Sequence, residues 1–593
     1  MQNGKGVVYT APIKALSNQK YRDFCHRYGK DKVGILTGDV VINPTAPIVI
    51  MTTEIFRNRL FNIEGLYNDK SWVIFDEVHY LDDPERGTVW EESLIFFPKH
   101  LRLLALSATI PNIAELAKWI ESIHKHPVKT VIEDKRPVPL SFRFSLNGKL
   151  FYGFKELTKE LLNTPKKQPH IKPPMDQLVD YLKHNNEFPA IYFCFSRSRC
   201  ESLAKQCIPF HLSNAEEREK ILGHYDDLLA LFRLTGDPHA EQIRPLIERG
   251  IAYHHAGVLP TLKEVIERLF TAKHIKLIFT TETFALGINM PARAVLFDEL
   301  RKFYGAGFDF LKTRDFYQMA GRAGRRGYDD FGLVYSVLHP KTPLSTLKNI
   351  ILGTPEPVCS QFNCNYATVL HLYHLRGEKI LNIYPQSFHY FQSDHQGKQN
   401  GIQLLKNKIS LLKFLGYIDS EKHQLTARGI FGCKIYGYEL SVTELFMKGF
   451  FEHNKPWQVN VMLTAMVFEP RKTQVPPHLS REVRDLKNLA FNISVDLENT
   501  ERMFKVENRS KRFFFHLSEA MRAWMQGARF EDLHRYTDVD EGEIIRNFRM
   551  TLQTLREMKN TPGCSEAFYE NIQECIQLIK RDEIDPESQF ELG

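Results

Sequence analysis

The chain has 593 residues, of which 43% are hydrophobic and 25% are charged, as in an ordinary globular protein of about four domains. Its 78 basic and 71 acidic residues leave a formal net charge of only +7, so bulk charge neither proves nor excludes nucleic-acid binding. No apolar run reaches the roughly 18 residues that a membrane span needs, and the N-terminus has no signal-peptide pattern. The nine cysteines form no CxxC pair, which argues against structural zinc or a disulfide framework and favours reduced thiols in the cytoplasm.

Residues 1–136 alternate short apolar runs with helical stretches, as a doubly wound α/β domain requires. Four of these runs are predicted to be buried parallel strands: Val7–Tyr9, Ile48–Met51, Trp72–Phe75 and Leu103–Leu106. The alternation of apolar runs and helical stretches continues through residues 137–345. Strands are predicted there at Ala190–Phe195, Gly250–Tyr253, Leu277–Thr280 and Ala294–Asp298. A Pro- and Lys-rich stretch between them, Thr164–Pro174, is predicted to be a surface loop.

The pattern changes after about residue 345. Leu404, Leu405, Ile409, Leu412 and Leu415 keep helical spacing, and Gly416 is predicted to cap that helix. Residues 417–419 and 424–426 then predict a short β-hairpin, and a helix followed by a hairpin is typical of the end of a winged-helix module. From about residue 456 the pattern is mostly helical.

The sequence VIFDEVHYLDD at 73–83 places two carboxylates at the C-terminal end of a strand, where α/β folds bind ligands. Phosphoryl transfer needs one carboxylate to hold Mg²⁺ and another group to orient the attacking water. Asp76 suits the first role and Glu77 the second. The alternative interpretation is a strand that ends in a solvated acidic turn.

The sequence DFYQMAGRAGRRGY at 315–328 has arginines at 322 and 325, which a helix would place on one face. Small residues between them would let that face approach a ligand closely, and arginines from a second domain can stabilise charge on a transferring phosphoryl group. A basic helix on a solvated surface explains the arginines but not the glycines and alanines.

Together these stretches resemble superfamily 2 helicases of the DExH-box type. Nine motifs follow the family's order and approximate spacing: PIKALSNQ (12–19), TGD (37–39), TTE (52–54), DEVH (76–79), SAT (107–109), FSRSRCE (195–201), HHAG (254–257), TTETFALGINMPA (280–292) and QMAGRAGRRG (318–327). The residues within these motifs are similar to those of the superkiller and exosome-cofactor branch of RNA helicases. Residues 523–548 and 575–585 resemble that branch's terminal helical domain.

The resemblance implies an α/β fold with two RecA-like parallel-sheet helicase lobes, followed by a winged-helix module and a C-terminal helical bundle. The implied domains are a first lobe at 1–136, a second lobe at 137–345, the winged-helix module at 346–455 and the helical domain at 456–593. The implied activity is an ATP- and Mg²⁺-dependent RNA helicase that moves 3′ to 5′ in RNA processing or decay. RNA would be its partner, together with an RNA-decay nuclease complex.

The resemblance also implies residue roles around the nucleotide. Asp76 and Glu77 would bind Mg²⁺ and activate water, and His79 would pair with Gln318 between the lobes. The remaining residues implied to act at the nucleotide, from the second lobe, are Gly287, Asn289, Arg322 and Arg325.

A second group of residues is implied to handle the strand. Ser107, Ala108 and Thr109 would couple hydrolysis to strand separation. The residues implied to line the strand path through phosphate contacts are Pro12, Lys14, Gly38, Thr53, Ser196, Arg197, His255, Gly257 and Thr281. Each of these contacts has a structural alternative, and for His255 that alternative is an interior histidine.

The segment at 541–558 predicts one helix with an apolar stripe of Ile544, Ile545, Phe548, Leu552 and Leu555. On a neighbouring face, Arg546, Arg549 or Met550, and Gln553 would act as the ratchet that the family places beneath the strand. Met550 stands where the exosome-cofactor branch has a basic residue. The alternative is that the arginines are merely solvated.

Two departures from the family pattern affect the interpretation. No GxxxxGK[ST] sequence occurs, although this loop cradles the phosphates of ATP and precedes PIKAL in the family. We therefore expect the chain to be truncated before that loop, to expose an apolar sheet edge and to be inactive as it stands. The arch of the exosome-cofactor branch is also absent or reduced, because only a few dozen residues separate positions 360–374 from the helix at 402.

Two other functions remain open on the sequence. A DNA repair helicase has the same architecture, although Arg326, where the repair branch often has proline, favours RNA. A non-catalytic RNA-binding scaffold would follow if the missing phosphate loop is genuine.

Overall fold

The structure is a computed structural model that describes residues 5–38, 40–62, 67–84, 86–108, 110–163, 175–284, 290–304, 307–339, 341–362, 364–471, 474–507 and 510–585. The chain divides into two compact units. The first contains the chain up to Leu106, Ala114–Val128 and the chain from Cys359 onward. The second contains Ser107–Ile113 and Lys129–Val358. The predicted surface loop at 164–174 lies outside the described residues.

The first unit contains a twisted sheet in the order β3-β2-β4-β1-β5-β6, parallel except for β3. Its described strands are β1 (Gly6–Ala11), β2 (Val33–Leu36), β3 (Val41–Ile42), β4 (Ile48–Thr52), β5 (Lys70–Phe75) and β6 (Arg102–Ala105). The helices of this part are α1 (Lys14–Tyr28), α2 (Thr53–Asn62), α3 (Gly87–Ile95) and α4 (Ile113–His124). The predicted parallel strands are therefore confirmed, with β2 and β3 missed.

The prediction that the strand at 103–106 is buried is wrong. This strand, β6, lies at the edge of the sheet, where Leu104 and Leu106 are 42% and 39% exposed. A central parallel strand is covered on both faces, whereas an edge strand is not, and an apolar run alone does not distinguish the two. The described sheet thus has an exposed apolar edge.

The second unit contains a larger sheet in the order β10-β11-β9-β12-β15-β7-β8. Its strands are β7 (Leu140–Leu146), β8 (Lys149–Phe151), β9 (Ala190–Phe193), β10 (Ile251–His254), β11 (Leu277–Thr280), β12 (Ala294–Phe297) and β15 (Gly332–Leu338), beside a separate hairpin of β13 (Arg301–Phe303) and β14 (Phe308–Phe310). All four predicted strands are present. The strands β7, β8 and β15 of this sheet and the separate β13–β14 hairpin were missed, although β15 is buried throughout.

Helices flank this second sheet, and several begin at strong capping residues. Asn214 forms a capping box with Glu217, and Asp237 caps the helix that starts at Pro238. The helices are α5 (Phe154–Asn163), α6 (Met175–His184), α7 (Arg197–Gln206), α8 (Ala215–Leu231), α9 (Pro238–Ile247), α10 (Pro260–Thr271), α11 (Thr313–Ala320) and α12 (Leu344–Leu352).

The chain after residue 358 lies in the first unit and is mostly helical, whereas the helical pattern was predicted only from about residue 456. Its helices are α13 (Tyr366–Arg376), α14 (Phe388–Gln392), α15 (His395–Phe414), α16 (Ala427–Gly432), α17 (Glu439–Met447), α18 (Phe450–His453), α19 (Pro456–Val467), α20 (Arg481–Met503), α21 (Ser518–Met525), α22 (Glu541–Lys559) and α23 (Glu566–Ile579). Short 3₁₀ turns occur at Lys30–Lys32, Val78–Asp82, Glu282–Phe284, Gly377–Asn382, Tyr384–Gln386, Phe515–Leu517, Phe530–Arg535 and Asp582–Ile584.

The predicted helix, cap and hairpin near residue 416 are confirmed. Gly416 has a φ of +74°, and the amides of Gly416 and Tyr417 donate to the carbonyls of Lys413 and Leu412. This is a Schellman cap, in which glycine tolerates the left-handed conformation. The antiparallel pair β16 (Ile418–Asp419) and β17 (Gln424–Leu425) follows directly.

A core of large apolar side chains holds the C-terminal helices together. Trp524 and Phe548 are fully buried with ring centroids 6.4 Å apart, and the Trp524 indole donates to the carbonyl of Ile579. The predicted apolar stripe of α22 is buried along its length. None of the described helices is both long and apolar enough to cross a membrane.

Two fully buried carboxylates of α3 connect the first sheet to the C-terminal half. Glu91 accepts hydrogen bonds from the Ser360 hydroxyl at 2.6 Å and the Phe388 amide at 2.5 Å. Glu92 accepts from Arg57 at 2.8 Å and from the Thr368 hydroxyl at 2.6 Å. Each buried charge is therefore compensated by donors from distant parts of the chain.

Replacing Glu92 with glutamine should destabilise the first unit strongly. The variant leaves the Arg57 guanidinium buried without its counter-charge, which costs about 3–5 kcal/mol when one partner of a buried pair is removed. Denaturant unfolding followed by circular dichroism measures the change. As a control, Glu469→Gln disrupts an exposed pair with Lys511 and should change stability by less than about 1 kcal/mol. Equal effects of the two variants would contradict the role given to Glu92.

The stability of this unit should also fall as pH rises through neutrality. Burial raises the pKa of Glu91 from 4.5 to about 7. Below pH ~4.5 both states are protonated and the folded state has its full advantage, which is lost as pH rises through the folded pKa. Glu91→Gln should therefore flatten the decline in unfolding midpoint between about pH 5 and about pH 8. The exposed Glu570→Gln variant should keep the wild-type slope, and an unchanged slope in Glu91→Gln would exclude its titration as the cause.

Candidate functional site

The first cluster lies where β5 ends and the chain turns sharply. Glu77 has φ +54° and ψ +48°, a left-handed conformation that is uncommon outside glycine. Its amide donates to Asp76 Oδ1 at 3.0 Å, and the Tyr9 hydroxyl of the neighbouring strand β1 donates to Asp76 Oδ2. Burial and the hydrogen bond to Asp76 raise the pKa of Tyr9, so this hydroxyl stays a donor. The turn and Tyr9 together fix the direction of the Asp76 carboxylate.

His79 belongs to the same turn as the two carboxylates. Its Nδ1 lies 3.3 Å from Glu77 Oε2, and its side chain is 13% exposed. Gln318, its predicted partner, lies in the second unit, so the pairing of these two residues stays a prediction.

The donor set around Asp76 fits Mg²⁺. This ion prefers carboxylate oxygens, and proteins usually bind it through one or two carboxylates together with water and substrate phosphates. Asp76 and Glu77 offer that number of carboxylates at a strand end. Across the described residues, no group of three or more His, Cys, Asp or Glu side chains is placed to hold a metal ion by itself.

The predicted strand-path residues of the first unit lie at this same edge of the sheet. Pro12 follows β1, Gly38 follows β2 and Thr53 follows β4, and parallel strands bring their carboxyl ends to one edge. The buried Thr53 hydroxyl donates to the carbonyl of Ala11 at 3.4 Å, so it joins β4 to β1. Lys14 is exposed at the start of α1.

Helix α22 faces this edge through Gln553. A Cβ added to Gly38 would lie 3.5 Å from Lys14 Nζ and 3.5 Å from Gln553 Oε1. These three residues come from three distant parts of the sequence and belong to one unit. The predicted helix at 541–558 is thus brought beside two of the predicted strand-path residues.

The two arginines of α22 have different surroundings. Arg546 is exposed, whereas Arg549 is half-buried and donates to the carbonyl of Glu583 at 2.7 Å. Arg549 therefore helps to dock the C-terminal segment against the helix. Arg546 and Gln553, seven residues apart, occupy the exposed face.

The predicted strand-path residues of the second unit also follow parallel strands. Ser196, His255 and Thr281 come just after β9, β10 and β11, respectively. Ser196 caps α7 by accepting the Arg199 amide at 3.2 Å, which places Arg197 in the first turn of that helix. These residues therefore share one edge of the second sheet.

His255 is an interior residue, only 4% exposed. Its Nδ1 accepts the amide of Gly257 at 3.2 Å, so Nε2 carries the proton that faces Glu201 at 3.1 Å. Both ring nitrogens are engaged within the fold. The histidine shapes the turn that presents Gly257, and the predicted strand contact of His255 stays a prediction.

The prediction that Arg322 and Arg325 share one face of a helix is wrong. Helix α11 ends at Ala320, and both arginines lie in the loop that follows. Gly324 has a φ of +88°, and a Cβ there would lie 2.5 Å from Val138 Cγ1 and 3.0 Å from Gly332 Cα. The small residues thus let the loop pack against its own domain, and the left-handed turn at Gly324 is incompatible with a continuing helix.

Arg325 is held by a residue that the sequence analysis missed. Its Nε and Nη2 donate to the two oxygens of Asp329, each at 2.7 Å. The i, i+4 spacing of an arginine and an aspartate is the only local signal for this pair. Tyr9, whose hydroxyl contacts Asp76, was missed as well because its partner is 67 residues away.

Some predicted residues cannot be placed. Gly287, Asn289 and Thr109 lie outside the described residues. Ser107 is half-buried and Ala108 is exposed, just beyond β6. All nine cysteines, which the structure describes, are free thiols.

Two protein-family models match the chain: a DEAD/DEAH box helicase domain over residues 1–116 and a DSHCT (NUC185) domain over residues 422–585. Human superkiller complex protein 2 is 37% identical over 446 residues, covering 69% of this chain and 36% of that protein. Human exosome RNA helicase MTR4 is 39% identical over 415 residues, covering 65% of this chain and 39% of that protein. An uncharacterized helicase of Schizosaccharomyces pombe, C17H9.02, is 36% identical over 438 residues, covering 70% and 42%. The chain therefore spans about two fifths of the length of these relatives.

Proposed function

Since the chain belongs to the branch of DExH-box helicases that includes superkiller complex protein 2 and MTR4, we propose that it is the motor of an ATP-dependent RNA helicase. It moves 3′ to 5′ along a single strand and acts in RNA processing or decay. The strand lies between the carboxyl edge of the first sheet and the exposed face of α22.

The observation that carries this proposal is the meeting of Gly38, Lys14 and Gln553. Gly38 has no side chain, and a glycine lets the backbone approach a ligand closely. Lys14 supplies a positive charge for a phosphate, and Gln553 has both a donor and an acceptor for a base or ribose. A strand held there touches a motor lobe and the C-terminal helix at once, as a translocating machine needs.

Hydrolysis is assigned to the turn at 76–79. Asp76 would hold Mg²⁺, and the bound ion would neutralise charge on the phosphates of ATP. Glu77 orients the attacking water and accepts its proton, while Tyr9 keeps the Asp76 carboxylate aimed by donating to Oδ2. Arg322 and Arg325, which belong to the second unit, are proposed to stabilise charge on a transferring phosphoryl group.

The finer domain assignment belongs to the same proposal. The segment 346–455, with α15 and the β16–β17 hairpin, is the winged-helix module, and residues 456–593 are the helical domain in which α22 acts as a ratchet. Between α13 and α15 the described chain has two 3₁₀ turns and α14, which is compatible with the absence of an arch.

A strand-binding scaffold without hydrolysis is the second candidate. It would use the strand contacts of Gly38, Lys14 and Gln553 without ATP turnover. The two functions differ in one result, RNA-stimulated ATP turnover by the protein restored with a GxxxxGK[ST] segment ahead of residue 1.

Substituting Glu77 with glutamine tests the motor assignment. The side chain keeps its shape but loses the carboxylate that accepts a proton, so ATP turnover by the protein restored with the GxxxxGK[ST] segment should fall by about 10²–10⁴-fold. Nucleotide binding, measured with a fluorescent ATP analogue, should change little. The exposed Glu570→Gln variant serves as the control and should match the wild type. Full turnover in Glu77→Gln would remove this residue from the catalytic machinery.

Substituting Arg546 and Gln553 together with alanine tests the ratchet. The double variant should unwind fewer base pairs per ATP hydrolysed, while ATP turnover in saturating RNA stays near the wild-type value. Losing one cation should also lower the salt dependence of RNA binding by about 0.7 in the slope of log K against log salt.

Arg549→Ala is the matched comparison on the same helix. Because Arg549 donates to the Glu583 carbonyl, Arg549→Ala should lower the melting temperature. The number of base pairs unwound per ATP hydrolysed should stay near the wild-type value. Unchanged coupling in the Arg546/Gln553 variant would show that α22 does not touch the strand.

A further inference from the structure

The loop that carries the two arginines is held in place by an arginine far away in the sequence. Arg136 Nη2 donates to the carbonyl of Gly321 at 2.7 Å and to that of Ala323 at 2.8 Å, on either side of Arg322. Its Nε donates to the carbonyl of Val138 at 2.7 Å. The single guanidinium thus ties the linker that enters the second unit to the loop.

The carbonyl between these two is also fixed. Arg322 O accepts the amide of Ala292 at 2.9 Å, and the amide of Gly324 returns to the carbonyl of Ala292 at 2.8 Å. Three successive carbonyls, those of residues 321 to 323, therefore each have a donor. The backbone around Arg322 is defined on both of its sides before any ligand is bound.

The guanidinium of Arg136 binds backbone carbonyls and forms no ion pair among the described residues. Within the described part of the chain no carboxylate lies within salt-bridge distance of it, and its three donated bonds all go to carbonyl oxygens. Only arginine has several donors on one planar, rigid fork, so a lysine cannot reproduce this arrangement.

Asp329 provides a second restraint, on the side chain of Arg325. Besides its two bonds to the guanidinium, Asp329 accepts the amide of Arg325 at 2.9 Å and donates its own amide to the Arg325 carbonyl at 3.0 Å. The Asp329 side chain is only 2% exposed, so it cannot move easily. Arg325, with a side chain that is 21% exposed, presents its remaining surface to solvent.

We propose that Arg136 and Asp329 are positioning residues for phosphate contact by this loop: Arg136 sets the backbone that carries Arg322, and Asp329 sets the guanidinium of Arg325. The proposal rests on the function proposed above. Presetting the two arginines removes the entropy loss of ordering them at each turnover, and a misplacement of about 1 Å can cost about 100-fold in rate.

The first measurement does not depend on catalysis. Hydrogen–deuterium exchange of the amides between Gly321 and Gly324 is followed in the full-length wild type, in Arg136→Gln and in Arg136→Lys. Both variants should exchange faster in this loop. Arg136→Lys should recover little of the wild-type protection, because lysine lacks the planar fork of donors. Lys135→Gln, which removes a neighbouring exposed charge, should exchange like the wild type. Unchanged exchange in Arg136→Gln would overturn the proposal.

The second measurement is steady-state ATP turnover with saturating RNA. Arg136→Gln and Asp329→Asn should lower kcat about 10- to 100-fold with little change in KM, because a contact realised in the transition state is lost. Faster exchange in the loop with an unchanged kcat would make Arg136 merely structural and would also overturn the proposal.

The two measurements separate this inference from the proposed function. If the protein restored with a GxxxxGK[ST] segment ahead of residue 1 shows no turnover, the motor assignment fails, while the exchange data still decide whether Arg136 fixes the loop. Arg136→Lys keeps the charge and the approximate volume of the side chain. If Arg136→Gln lowers the melting temperature of the whole protein, the effect on kcat is therefore measured in Arg136→Lys instead.

Discussion

Much of the first unit depends on the two buried carboxylates of α3. Glu91 and Glu92 are fully buried, and their donors come from α2, from residues 360 and 388, and from α13. A buried carboxylate is tolerated only when such donors compensate its lost hydration. The chain after residue 358 must therefore return to α3, and this return brings α22 into the same unit as the first sheet.

The parallel sheets impose the second constraint. Because all parallel strands end at one edge, residues from separate motifs converge there: Pro12, Gly38, Thr53 and Asp76 in the first unit. The residues proposed for chemistry and those proposed for strand contact therefore lie at the same edge of the sheet. Gln553 Oε1 of α22 lies 3.5 Å from a Cβ built on Gly38, so a helix of the C-terminal half flanks the same edge.

The residues proposed to act on the nucleotide or on the strand are oriented by neighbouring side chains. Tyr9 aims the Asp76 carboxylate, His255 shapes the turn at Gly257, and Asp329 aligns Arg325. These contacts are hydrogen bonds at buried or half-buried positions, where a displaced partner would leave a polar group unsatisfied. The geometry is consequently stiff before a ligand arrives, which is what preorganised electrostatic stabilisation requires.

The sequence by itself determined the strands that end in the motifs, the carboxylates at the end of β5, the capped helix α15 with its hairpin, and the apolar stripe of α22. These features depend on local periodicity and turn chemistry, which are written in neighbouring residues. Only the tertiary structure decided that β6 lies at an exposed edge, that Arg322 and Arg325 leave the helix, and that Arg136 holds their loop. Those outcomes depend on packing between distant segments, such as Gly324 against Val138, and on donors that meet acceptors nearly 200 residues away, neither of which produces a local pattern.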